Sequence, residues 1–96
     1  MIATAKATVV GLVTPHLLRV VDLANQSERG VNVDWHVRSA VADTMRELGD
    51  QYNAGALMAA YVEGLENVLS QAPATRTAYV RVLNSAVDAA RPLRRD

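Results

Sequence analysis

The sequence predicts an all-α fold, a compact bundle of four short helices, or five if residues 2–13 form a helix of their own. Three observations carry this reading. Apolar residues recur at three- and four-residue steps over several stretches of helical length. Glycines and prolines separate those stretches at short intervals. Only residues 2–13 have the makeup of a strand, and the sole segment able to pair with them is the three-residue link Val31–Val33.

Residues 2–13 are the ambiguous element. Their Thr and Val content favours a strand, because β-branched side chains are stiff at χ1. Against this, Ile2, Val9 and Val13 share one helical face, and an isolated strand leaves its backbone groups unpaired. A helix is the expectation; a strand paired with another chain, exposing Thr8 to Val13 as an edge, is the alternative.

Thr14-Pro15 resembles a helix start, with threonine as cap and proline at the first helical position. Leu17, Val20, Val21 and Ala24 then fall on one side, and Gly30 supplies a left-handed stop. A second helix, capped by Asp34, runs from Trp35 to Leu48 and ends at Gly49; Val37, Ala40, Val41, Thr44, Met45 and Leu48 form its buried face. Asp50 or Asn53 caps a third helix. It lasts until Ala72-Pro73, where proline disfavours helical geometry in the preceding residue. Thr75 caps a fourth helix through Ala90, with Tyr79, Val82, Leu83, Ala86 and Ala90 facing the core. Residues 92–96 form a short basic tail, and the whole of 1–96 is expected to be a single helical domain.

Composition narrows the functional classes. Of the 96 residues half are apolar, and ten basic residues balance ten acidic ones, which argues against a dedicated nucleic-acid coat. The chain has no cysteine, which removes thiolate chemistry and fits a cytoplasmic protein. No apolar run approaches the ~20 residues needed to span a bilayer, so no membrane partner is expected. No nucleophile motif or glycine-rich phosphate loop occurs. His36, Asp43 and Glu47 lie on one side of the second helix without metal-ligand spacing, and Glu63 and Glu66 lack a histidine at matching steps. Both groups read as solvated faces, and His16 as a surface residue whose tertiary pairing is left open. No catalytic residue, cofactor or metal is expected, and the chain does not read as an enzyme.

Two features point to contacts with macromolecules. Ala56, Ala60 and Gly64 form a small-residue ridge on the third helix, beside the broad apolar stripe that contains Tyr61. The ridge either receives a helix of the same chain, the commoner case, or faces outward as a self-complementary patch. The apolar arc plus ridge is wider than one neighbour covers, so a homo-oligomer, a dimer or higher, is expected. Trp35 either covers one end of the core or stands exposed as an interface anchor. The sequence-level interface is therefore Trp35, Ala56, Ala60, Tyr61 and Gly64, and the partner is a second copy or another protein. Arg76, Arg81, Arg91, Arg94 and Arg95 crowd the last quarter and supply the alternative, a nucleic-acid-binding factor.

The composition, rich in Ala, Val and Arg, resembles that of proteins from high-GC actinobacteria and their phages. The span Arg46 to Leu69, with its Asn-Ala-Gly-Ala-Leu-Met-Ala-Ala core, is similar to the helical region of small terminase subunits of such phages. It covers about a quarter of the chain. The resemblance implies a phage DNA-packaging-type factor and transfers no DNA-contacting residue.

Overall fold

One continuous helix, α1 (Ile2–Glu28), takes up the first 27 helical residues and passes straight through Pro15. The computed structural model describes residues 2–94, with side chains from Thr8 onward. Residues 2–13 are thus helical, as expected. The helix start expected at Thr14-Pro15 is not there. Thr14 instead donates its hydroxyl back to the Val10 carbonyl at 2.7 Å. Pro15 cannot donate to the carbonyl four residues before it, that of Gly11. Gly11 and Pro15 are both exposed, so water can solvate that carbonyl and the helix tolerates the proline.

Gly30, at φ 88°, ends α1 as predicted. The Gly30 N–H donates to Ser27 O and the Val31 N–H to Gln26 O, the paired bonds of a Schellman stop. A buried Val33 anchors the link to α2 (Asp34–Gly49). Asp34 is the first residue of α2 rather than its cap, and its N–H is received by Asn32 Oδ1 at 3.2 Å. The buried face of α2 is the one read from the sequence. α3 (Ala54–Gln71) follows Asn53 and stops at Ala72, whose extended backbone precedes Pro73. α4 (Thr77–Ala90) begins after Arg76 rather than Thr75, because a turn from Pro73 O to Arg76 N takes up the intervening residues. A 3-10 turn, Arg91–Leu93, continues α4.

Each helix contacts the other three. Val20 and Ala24 of α1, Val41 of α2, Tyr61 of α3 and Leu83 and Ala86 of α4 are wholly buried at the common centre. Among the described residues no strand occurs, and no helix is long and apolar enough to cross a membrane. The bundle is elongated, 43 × 23 × 19 Å. At ~1.5 Å per residue α1 spans about 40 Å, whereas the other three reach about 21–27 Å. α1 therefore outruns its neighbours, and Val13 is its first buried residue among those with described side chains.

Candidate functional site

The small-residue ridge of α3 is used mainly inside the chain. A Cβ on Gly64 would lie 2.6 Å from Leu17 Cδ1, so α1 rests directly on this glycine. Ala60 is half-buried against the core, and Ala56 is exposed. Tyr61 has no exposed surface and faces inward from the same stripe as Leu57 and Leu65, so it cannot contact a partner of the folded chain. Of the five interface residues expected from the sequence, Trp35 and Ala56 remain open to solvent. Trp35 is 73% exposed, so it does not cover the core. Its ring stands nearly perpendicular to that of His36, 5.7 Å between centroids.

Exposed apolar side chains also lie on α1, whose Thr8–Val13 run the sequence offers as a contact surface only in its strand alternative. Val10, Leu12 and Leu18 are 53%, 51% and 61% exposed. At 100° per residue, Val10 and Leu18 share one flank of α1 and Leu12 occupies another. The signal was present in the apolar run Val9 to Val13, but it reads equally as core.

The arginines of the last quarter are largely committed to carboxylates. Arg76 Nε lies 3.1 Å from both Glu28 carboxylate oxygens, and its Nη2 donates to Asn25 Oδ1 at 2.9 Å. The same guanidinium covers the Tyr79 ring at 3.8 Å. The hydrogen bond from Arg76 holds the Glu28 carboxyl below its ordinary value of 4.5 and raises the Arg76 pKa. Arg91 Nε donates to Glu66 Oε2 at 3.0 Å, and Arg94 lies 3.9 Å from Glu63. The two glutamates read as a solvated edge of α3 thus anchor the residues after α4. Arg81 reaches Ser27 Oγ at 3.5 Å, and Arg95 lies outside the described residues. Three of the five arginines proposed for a phosphate backbone are therefore neutralised within the chain.

The polar residues of α2 separate as the helix geometry requires. Asp43 pairs with Arg46 at 2.8 Å, and His36 stands apart on the exposed first turn. The histidine that meets other polar groups is His16. Its Nδ1 lies 3.4 Å from Thr44 Oγ1, and its ring stands edge-on to Tyr61 at 6.5 Å. Thr44 is 2% exposed, and the Tyr61 hydroxyl is buried with no hydrogen-bond partner among the described residues. Burial pushes the Tyr61 phenol up to about 12, against smaller opposing effects of the Thr44 hydroxyl and the Arg19 charge. These residues lie 28 and 45 positions from His16 in sequence, so no local motif announces the cluster. No group of three or more potential metal ligands occurs among the described residues.

Comparison with family models, with curated proteins and with solved structures returns no match.

Proposed function

We propose that the chain is a small non-enzymatic assembly module that associates with itself through the projecting half of α1. The observation that supports this reading is the mismatch between α1 and the bundle. The helix is longer than its neighbours, and it leaves Val10 and Leu12 exposed toward its start and Leu18 exposed alongside the bundle. An apolar helix surface in water is unfavourable by roughly 25 cal/mol for each Å² that a partner would cover. Residues 2–12 also contain Thr4, Thr8, Val9, Val10 and Gly11, all weak helix formers. Such a segment, too short to be stable alone, depends on packing for its helicity.

The occupant that fits is a second copy. Residues 2–18 carry one charge, Lys6, so little in the segment selects a charged partner. Gly11 has open space where a Cβ would stand, which allows a facing helix to approach. A twofold pairing uses the same patch on both chains and closes after two.

Sedimentation equilibrium tests the reading. The wild type is expected to pass from one-chain to two-chain mass with rising concentration. The double variant Val10→Glu, Leu18→Glu, at exposed positions, is expected to retain its helicity and stay at one-chain mass. A wild type that remains a monomer at every concentration would falsify the proposal.

A further inference from the structure

Where α1, α2 and α3 meet, Leu12, Leu48 and Leu57 wall a cavity of about 130 Å³, and His16, Glu47 and Gln51 give it polar atoms. We propose that this cavity is a binding site for a small primary amine with a compact apolar body. A single chain supplies every wall, so the site is complete in one copy.

Size sets the apolar part of the ligand. An apolar cavity of roughly 150 Å³ holds one benzene ring, so this one admits a body of about that size or slightly smaller. Three leucines supply apolar walls and three polar residues share the lining, the usual make-up of a small-molecule site.

Charge sets the head group. Glu28, Glu63 and Glu66 each face an arginine, whereas Glu47 has no ion pair among the described residues. Glu47 is also the sole charged residue lining the cavity. An ammonium group answers that carboxylate, and a ligand carboxylate is repelled by it.

The residues that meet His16 favour the same conclusion. His16, Thr44 and Tyr61 place a ring nitrogen, a hydroxyl and a phenol at the junction of three helices. Apolar residues of similar volume would stabilise this junction better, since a buried hydroxyl without a partner is unfavourable. Departures of this kind collect where a protein binds something. Thr44 engages Nδ1 of His16, leaving Nε2 as its remaining polar atom for a ligand.

The test is a titration of the wild type with benzylamine, followed by the methyl resonances of Leu12, Leu48 and Leu57. Benzyl alcohol and benzoate serve as the neutral and anionic counterparts. Benzylamine is expected to bind saturably in the millimolar range and to shift all three leucines, while benzoate gives no saturable shift. The exposed substitution Glu47→Gln is expected to weaken benzylamine about fivefold, the scale of an exposed ion pair, and to leave benzyl alcohol unchanged. The proposal is overturned by equal affinity for benzylamine and benzoate, by unchanged benzylamine affinity in Glu47→Gln, or by the absence of saturable shifts at the three leucines.

Discussion

Gly64 is the position where a single added side chain discriminates most sharply between close helix packing and an open ridge. An ideal Cβ there meets Leu17 Cδ1 at 2.6 Å, Cδ2 at 3.0 Å and Cγ at 3.4 Å. Ordinary carbon contacts lie near ~3.5–4.0 Å, so the Leu17 methyls must retreat by about 1 Å to admit alanine. They are the far end of a flexible, half-buried side chain and can turn aside. Alanine also improves the helix by ~1 kcal/mol over glycine, so Gly64→Ala is expected to fall within about 1 kcal/mol of wild type. Leucine adds three further carbons that rotation of Leu17 cannot absorb. Gly64→Leu then forces α1 away from α3, at ~2–3 kcal/mol. In a domain of this size that lowers the melting temperature by roughly 8–20 °C. Ala56→Leu, at the exposed end of the same ridge, is expected to stay within ~0.5 kcal/mol. Denaturation followed by far-ultraviolet circular dichroism measures all three, since the exposed Trp35 reports poorly on the core. Equal stabilities for Gly64→Leu and Ala56→Leu would refute the packing of α1 on α3.

Tyr61→Phe removes a buried hydroxyl without a partner and is expected to be neutral or stabilising by up to ~1 kcal/mol, as measured by guanidinium unfolding. Because the folded phenol titrates at about 12 rather than 10, its contribution is complete below pH 10 and is lost as pH rises from 10 to 12. Ultraviolet titration should show a tyrosinate step near pH 12 that Tyr61→Phe abolishes. Glu28 behaves oppositely: its carboxyl is held below 4.5, so its contribution is present above that pH and declines as pH falls through the lowered value. Arg76→Ala should remove that acid-side dependence and destabilise more than Glu28→Gln, because it also takes away the contacts with Asn25 and Tyr79. Pro15→Ala restores a donor to the turn begun by Gly11 and should stabilise α1 by about 1–3 kcal/mol in the same unfolding assay.

Periodicity made most of the bundle legible, and the limits of its reach are physical. The buried face of α2 follows from spacing alone, because it presents one contiguous stripe to the core, and that of α4 does so except for Val87, which is buried as well. Gly30 and Ala72-Pro73 end their helices through backbone constraints that act locally. Thr14-Pro15 misled because a proline at a first helical position and one in a solvated interior turn leave the same local pattern. What separates them is whether residues 2–13 continue the helix, and the local pattern at Thr14-Pro15 does not carry that information. By spacing, Tyr61 fits both the apolar stripe and an interface, and only the placement of its neighbours in the bundle puts it wholly inside. The partners of Arg76 and Arg91 lie 48 and 25 residues away, so their charges seemed available in one dimension and are committed in three. The meeting of His16 with Thr44 has the same origin.

The central claim, that the projecting half of α1 acquires a partner in a second copy, is tested most directly by amide hydrogen exchange at two protein concentrations. Dimerisation predicts that the amides of Thr8 to Leu12 become more protected as concentration rises, while those of Val20 to Ala24, already inside the bundle, stay unchanged. Identical exchange of Thr8 to Leu12 at low and high concentration would contradict it.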